Sequence, residues 1–363
     1  MKAVTKADSA DSDRHRARRR SRPSIYDVAR RAGVSIATVS RTLAGNPAVA
    51  PATGRRIREC MASLDFRPNA LARSLASRVK RSIGLIIASG TREYAGLFLA
   101  EILGGVTTGA ATEGWSVHLT MLPPGDEEAA TLLDRHVELV DGSLVLDIAA
   151  DVAAVRRLLR SSHPTVLLNR AVSSNGVAID NEIGARLAAE HLIELGHRRI
   201  ACLVSTDAIG RARRAGYRAA IRQAGLKALA VIDCDFKFEA AASATERLLR
   251  NRTPPSAILA ASDWMALGVL EAARRLDVAV PDDLSVVGFD DALIAAIAAP
   301  PLTTVRQPLD LMGRTAFETL IRRIRTGRAE PLINLEPALV TRASTAKNND
   351  EPHRKPEWGL EAR

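Results

Sequence analysis

Ile25-Tyr26-Asp27-Val28-Ala29-Arg30-Arg31-Ala32-Gly33-Val34-Ser35-Ile36-Ala37-Thr38-Val39-Ser40-Arg41 holds two helical patterns around one glycine. Ser24, just ahead of it, is an N-cap residue type. Ile25, Val28, Ala29 and Ala32 recur at the i, i+3, i+4, i+7 spacing of a single helix face. Gly33 supplies the turn that follows. Ser35 can cap a second short helix that buries Val39 and Leu43 and turns Ile36, Ala37 and Arg41 outward. Asn46-Pro47 marks a loop. A third helix then carries Ile57, Cys60, Met61 and Leu64 at the same spacing. Three short helices joined by tight turns predict a small basic bundle.

The charge supports a special role for this end of the chain. Of 51 Lys/Arg and 41 Asp/Glu in the 363 residues, 18 and 6 fall within residues 1–80, which leaves 33 and 35 for the rest. A basic segment on a near-neutral body suits a polyanion that meets that segment alone. A solvated basic tail accounts for the run from Arg14 to Arg22 but not for the patterned stretch behind it. Residues 1–22 lack periodicity and are expected to be a disordered basic extension.

Cys60, Cys202 and Cys234 are scattered and odd in number, with no CxxC and no His/Cys cluster. They read as reduced, mostly buried thiols of a cytoplasmic protein, with neither disulfide nor metal. The longest uncharged run, Ala292 to Val305, is too short to span a bilayer and is broken by Pro300-Pro301. The first residues contain no apolar signal-peptide core.

Residues 67–80 are basic and too short for a core of their own, so they read as a hinge. From residue 81 the pattern alternates between strand and helix. Apolar runs predict strands at 83–88, 117–122, 143–146, 165–168, 200–205, 230–233, 257–261 and 285–289. Amphipathic stretches lie near 97–113, 127–140, 151–161, 182–195, 211–224, 239–250, 263–277 and 310–325. Short buried strands with helices between them imply parallel, doubly wound sheets. So many units exceed one comfortable sheet, and two similar lobes with a cleft between them are expected over 81–345. Residues 346–363 are polar and expected to fray. Trp358 and Leu360 form no heptad, so a C-terminal coiled-coil tetramer is not expected.

The headpiece stretch resembles the helix-turn-helix of the LacI/GalR family of bacterial repressors. Phe66-Arg67-Pro68-Asn69-Ala70-Leu71-Ala72-Arg73-Ser74-Leu75 resembles that family's hinge. The resemblance continues through Asp180-Asn181, His191 to Ile200, Ser285 to Asp291 and Pro301 to Pro308, and so covers roughly residues 24–345. It implies a helix-turn-helix DNA-binding domain over 23–66 and a hinge helix over 67–80. Behind them it implies a periplasmic-binding-protein-like α/β sensor of two doubly wound lobes, which also carries dimerisation.

For DNA, the resemblance assigns base readout to Ile36, Ala37 and Arg41. Arg41 can bond guanine O6 and N7 bidentately, whereas Ile36 and Ala37 offer only apolar contact, for example to a thymine methyl. Ser35, Thr38 and Ser40, with the amides at the helix start, suit phosphates. Thr38 could instead serve helix packing. Tyr26 matches a position that contacts backbone or base, with packing on the bundle as its alternative. Asn69, Ala72 and Arg73 match the hinge pattern at the groove. Leu75 matches the leucine that wedges into the minor groove; the alternative is a linker leucine packed on the sensor.

For the effector, a ligand is expected between the lobes at the carboxyl ends of the strands. By resemblance, Arg213 bonds the effector, Asp290 binds sugar hydroxyls, Phe236 stacks on the ligand face, and Gln307 lies at a lobe crossover near the site. Asn169 stands where Asp is more usual. The family's Ala-Asn-Asp reads Ala261-Ser262-Asp263, which weakens or changes the contact at Ser262. The first-lobe loop departs too, leaving Tyr94 and Phe98 as candidate cleft residues. These residues could also serve only to cap strands and satisfy the interior. Trp264 is weighed in the same way. A sugar or sugar derivative is the implied effector, with a carboxylate or nucleobase left open by Arg213. His191 and His197 sit at a helix-to-strand corner that Gly196 explains as a cap, so no catalysis is assigned to them.

No dinucleotide fingerprint, P-loop, HExxH or nucleophile elbow is present, and no enzyme activity or cofactor is expected. The resemblance implies a regulator, usually a repressor, that binds a palindromic operator in double-stranded DNA as a homodimer. It would be cytoplasmic and nucleoid-associated, with no membrane partner. The competing readings are a family regulator without small-molecule control and a periplasmic-type sugar-binding protein.

Overall fold

The computed structural model describes residues 23–43, 46–66, 79–88, 95–123, 125–146, 152–169 and 174–348. The chain divides into two compact units, one up to Lys80 and one from Arg81.

The first unit holds α1 (Ile25–Ala32), α2 (Ile36–Leu43) and α3 (Pro51–Ser63). Ser24 and Asp27 close a capping box: the Asp27 amide donates to Ser24 Oγ at 3.4 Å, and the Ser24 amide donates to Asp27 Oδ2 at 2.9 Å. Gly33 ends α1 with φ 63°, a left-handed turn that costs glycine nothing. Val28, Ala29, Ala32, Val39 and Ile57 form the core, with Leu43, Cys60, Met61 and Leu64 partly buried around it. The three helices and their apolar faces are those the periodicity predicts.

The second unit has two lobes. Lobe 1 contains β1 (Ser82–Ala88), α4 (Ala95–Glu113), β2 (Ser116–Leu122), α5 (Asp126–Leu139), β3 (Gly142–Leu146), α6 (Ala153–Leu159), β4 (Thr165–Leu168) and β5 (Gly176–Ile179). Lobe 2 contains α7 (Asn181–Glu194), β6 (Ile200–Val204), α8 (Ala208–Gln223), β7 (Ala230–Asp233), α9 (Phe238–Leu249), β8 (Ala257–Ala260), α10 (Asp263–Arg275), β9 (Ser285–Val287), α11 (Leu293–Ile297) and β10 (Thr304–Arg306). The chain then returns to lobe 1 with α12 (Leu309–Thr326) and β11 (Ile333–Leu335). It ends its regular structure with β12 (Ala338–Val340), which pairs antiparallel with β10.

The lobe 1 sheet runs β11-β5-β4-β3-β1-β2 and the lobe 2 sheet β7-β6-β8-β9, all parallel. Every residue of β3 and of β6 is buried, as apolar strands covered on both faces should be. The chain passes between lobes three times: at Asp180, at Gln307-Pro308, and between β11 and β12.

The predicted alternation holds, with additions. β5, β10, β11 and β12, of three or four residues each, are not among the predicted strands. α11 lies inside the uncharged run that reads only as too short for a membrane. The strand expected over 285–289 ends at Val287; beyond it the chain bridges the 303–306 stretch, the Gly288 amide donating to the Thr303 carbonyl at 2.9 Å and the Asp290 amide to the Val305 carbonyl at 2.8 Å. Residues 346–348, expected in the fraying tail, are bonded into lobe 2. His197 Nε2 lies 3.1 Å from the Ala346 carbonyl, and the Asn348 amide donates to the Leu195 carbonyl at 2.8 Å. Gly196, with φ 91°, stands at that corner as expected.

Candidate functional site

The headpiece offers a surface. Ser35 caps α2 by accepting from the Thr38 amide at 3.2 Å, and its hydroxyl lies 2.9 Å from Thr38 Oγ1. Thr38 is half-buried, while Ile36, Ala37, Ser40 and Arg41 are exposed along one side of α2. Tyr26 is 66% exposed, so it does not pack into the bundle. Arg41 stands in the last turn of a helix without acidic residues in its first turn. This face combines an amide-rich helix start with one guanidinium, which suits phosphates and a base edge. The hinge residues Asn69, Ala72, Arg73 and Leu75, and Tyr94 of the lobe 1 loop, lie outside the described residues.

The sensor offers an interior. Asp290 follows β9 with φ 122°, and Asp291 follows with φ 57°. Asn169 after β4 (φ 57°) and Phe236 after β7 (φ 55°) share the left-handed backbone. Such conformations in residues other than glycine cluster where function holds the chain. Each of these stands at the carboxyl end of its strand, where open α/β sheets bind ligands.

A polar network converges on Asp290. Gln307 Nε2 donates to Asp290 Oδ1 at 2.5 Å, and Arg213 Nη1 lies 3.5 Å from the same oxygen. Arg213 Nε donates to Asn181 Oδ1 at 2.8 Å, and its Nη1 also donates to the Ala261 carbonyl. The guanidinium lies 3.5 Å from the centre of the Phe289 ring and 5.8 Å from that of Phe236, a cation over aromatic faces. Asp263, at the start of α10, accepts from Thr304 Oγ1 at 2.5 Å and from the Ala292 amide at 2.8 Å. Gly288 leaves room for that carboxylate: a Cβ there would lie 2.3 Å from Asp263 Oδ1. Ser262 is wholly buried and caps α10 by accepting from the Met265 amide at 3.2 Å.

Two buried carboxylates beside one guanidinium leave the site short of positive charge. Burial pushes the Asp290 carboxyl up to about 6, against the opposing pull of Arg213 and Gln307. Asp263 is pushed well up, by burial first and by Asp290 second. Asp291 points elsewhere, accepting from Arg306 at 2.6 Å and Arg342 at 2.5 Å. The two adjacent acids therefore do not act as a pair.

The lobes meet at a narrow seam. Phe98, Glu101 and Leu309 line it from α4 and α12, and Asp263, Trp264, Asp290, Ala292 and Ile294 from lobe 2. Trp264 Nε1 in the seam, Gln307 Oε1 beside Asp290, and Asn169 Oδ1 at the end of β4 are buried without a partner. Buried polar atoms are rarely left so.

Of the effector candidates, the structure brings Arg213, Phe236, Asp290 and Gln307 together and puts Phe98 in the seam. It places Asn169 at a strand end and gives Ser262 a capping role. It adds Asp263, Asn181, Thr304 and Glu101, which the sequence reading did not assign. Glu101 had a visible signal: it is the one ionisable residue of α4 before Glu113. Asp263 sits in a quoted motif, but its partners Thr304 and Ala292 are distant in sequence.

A helix-turn-helix with an outward face, followed in the chain by a two-lobed α/β unit with a polar cleft, is the build of a DNA-binding transcription regulator. Residues 24–69 match the family of bacterial regulatory proteins, lacI family, and residues 189–345 match the periplasmic binding protein-like domain. The chain belongs to the LacI family of transcriptional regulators. It is 34% identical over 307 residues to catabolite control protein A of Priestia megaterium, covering 82% of this chain and 91% of the relative. It is 33% identical over 334 residues to the ribose operon repressor of Escherichia coli K12, covering 88% and 99%. Among solved structures it is similar to the lac repressor dimer bound to operator and the anti-inducer ONPF, with TM-score 0.78, 29% identity and coverage of 89% and 99%. It is also similar to a complex of the regulator CelR with cellobiose, with TM-score 0.68, 33% identity and coverage of 89% and 100%. No described helix is long and apolar enough to cross a membrane.

Proposed function

We propose that this chain is a repressor that binds a palindromic operator as a homodimer and releases or grips it in response to a small molecule between the lobes. The seam carries this reading: residues of both lobes face one another there, and Trp264 in the seam and Gln307 beside Asp290 hold a buried donor and a buried acceptor left unmatched. A ligand that satisfies them favours one arrangement of the lobes, and only such differential affinity can shift DNA binding.

On the DNA side, Arg41 reads a base edge, Ile36 and Ala37 make apolar contacts, and Ser35, Thr38 and Ser40 face phosphates. Tyr26 is free to reach the backbone. Asn69, Ala72 and Arg73 serve the hinge, and Leu75 is its minor-groove wedge. On the sensor side, Asp290, Gln307, Arg213 and Phe236 form the ligand floor, with Phe98 opposite. Two apolar surfaces support a second copy of the chain. Leu119 and Met121 are exposed on the sheet-edge strand β2, and Leu293 and Ile297 are exposed on α11. A monomer leaves such edges uncovered at some risk of unwanted association.

Footprinting upstream of neighbouring genes, with and without a panel of sugars, tests the reading. The expected result is a symmetric footprint whose affinity falls steeply with salt and changes with one sugar. A footprint that no small molecule alters would favour a regulator without effector control.

A further inference from the structure

Two surface helices of the second unit have their charges sorted by sign. α8 carries Arg211, Arg213, Arg214, Arg218 and Arg222 and no Asp or Glu. Arg213 is buried in the site already described. The other four recur at i, i+3, i+7, i+11, which puts them on one side of the helix. Gly216 stands on the opposite side, so close to α7 that a Cβ there would lie 2.0 Å from the Glu182 carbonyl oxygen. The stripe therefore faces away from the neighbouring helix, with Arg214 half-buried and Arg211, Arg218 and Arg222 exposed. Among the described residues none of the four has an ion-pair partner. Arginines of other surface helices do: Arg250 pairs with Glu246, Arg274 with Glu271 and Arg314 with Asp310. The helix itself gains nothing from the pattern. Like charges three and four residues apart destabilise a helix. Arg211, in the first turn, also stands at the positive end of the helix dipole.

The complementary charge is on the same chain. α5 carries Asp126, Glu127, Glu128, Asp134 and Glu138, and no other described helix holds as many acids. Glu127, Asp134 and Glu138 fall at i, i+7, i+11, with Thr131 in the gap at i+4. All four are exposed, on the side away from the buried Ala129, Leu133 and His136. Glu127 and Glu138 have no ion-pair partner among the described residues, and Asp134 has only the exposed Arg157, at 3.2 Å. Acids in the first turn suit the helix dipole, but Asp134 and Glu138 lie in the second half of α5, where the dipole favours cations. Each stripe covers about 16 Å of helix from its first charge to its last.

We propose that α8 of one copy of this chain docks along α5 of another, lobe 2 against lobe 1. The contact is separate from the apolar surfaces of β2 and α11. Guanidinium–carboxylate pairs hold it, each weak when exposed and screened by salt. The assembly therefore forms and comes apart with concentration and ionic strength. Because the two surfaces differ, the contact is heterologous and can add further copies.

Sedimentation velocity of the full chain without DNA tests this, over a range of concentrations in about 50 mM and about 500 mM NaCl. The expected result is association at low salt that weakens by at least about tenfold at high salt. One charge-reversed chain carries Arg218→Glu with Arg222→Glu; the other carries Glu127→Lys with Glu138→Lys. All four positions are exposed, and thermal unfolding checks that each variant folds. Each variant alone is expected to lose at least about tenfold in association. In an equimolar mixture each reversed helix meets an oppositely charged helix on the other chain, and association is expected to return. It is expected to return also in one chain with all four substitutions. Association that survives either reversal, or that neither the mixture nor the fourfold variant regains, overturns the proposal. So does a natural chain of constant mass at both salt concentrations. In that case, binding of a labelled polyglutamate or a single-stranded oligothymidylate that Arg218→Glu with Arg222→Glu abolishes would assign the stripe to a different polyanion.

Discussion

Tyr26 and Ile36 of the headpiece are 66% and 40% exposed, and the side chains assigned to DNA project from a core made by other residues. Arg213 and Asp290 of the sensor are 2% and 9% exposed, and each is bonded to others of the same site. The headpiece therefore largely separates recognition from stability: Ser35 caps α2 and bonds to Thr38, but Tyr26, Ile36, Ala37, Ser40 and Arg41 face outward from the core. The sensor joins the two, because its candidate ligand groups also fill and neutralise the lobe interior. A substitution in the first unit should change what the protein reads; one in the second should change how firmly it folds as well.

The most direct way to break this contrast is Arg213→Met. It keeps much of the side-chain volume but leaves the buried Asp290 without its cation. Removing one member of a buried charge group costs about 3–5 kcal/mol, and urea unfolding should show a loss of that size. A loss within about 0.5 kcal/mol, the range of ordinary surface substitutions, would mean that Arg213 is a ligand group with no structural duty.

Asp290→Asn sharpens the same point through pH. The folded carboxyl titrates near 6, above its ordinary value of 3.8. An acid raised by folding favours the native state while protonated. That contribution is complete below about 3.8 and is lost as pH rises through 6. Asn cannot ionise, so the stability of the variant relative to the natural chain should grow between pH 4 and 7. The shift corresponds to about 3 kcal/mol at most, shared with Asp263 because the two acids titrate as a pair. Chemical denaturation at pH 4, 5.5 and 7 checks it; a constant difference would place Asp290 in water-like surroundings.

The contrast also explains what the sequence made legible. Exposed and buried positions of α1 and α2 follow from a 3.6-residue period, so Ile36, Ala37 and Arg41 could be read as outward from spacing alone. The sheets were legible because β6 is apolar throughout and β3 nearly so, with Ser143 its one polar side chain. The site was not legible in this way. Its geometry depends on Asp290, Asn169 and Phe236 adopting a left-handed backbone that no composition announces. It also depends on partners as far apart as Asp263 and Thr304. Resemblance pointed to Arg213, Phe236, Asp290 and Gln307, which the fold places near one another, and to Ser262, whose side chain caps a helix.

Arg41→Ala addresses the headpiece side. Losing a bidentate base contact costs about 1–3 kcal/mol of discrimination. Operator affinity should fall by that amount, and binding to unrelated DNA should change little. Thermal stability should stay within about 0.5 kcal/mol, since an exposed side chain away from a cap or core has little to lose. A comparable drop in stability would show that the α2 face is part of the fold after all.

The smallest effect tests where the headpiece's freedom ends. Gly33 holds the turn between α1 and α2 at φ 63°, and a Cβ built there meets nothing within 4 Å. Gly33→Ala therefore adds no clash. What remains is the backbone cost of a left-handed L-residue, roughly 1–2 kcal/mol. Circular dichroism on heating should show that loss in the headpiece transition alone. Operator affinity should fall only as far as the unfolded fraction rises. A larger loss of affinity at temperatures where the bundle is fully folded would mean that the turn sets the angle at which α2 is presented. Recognition and backbone geometry would then be coupled at this one residue, as they are throughout the sensor.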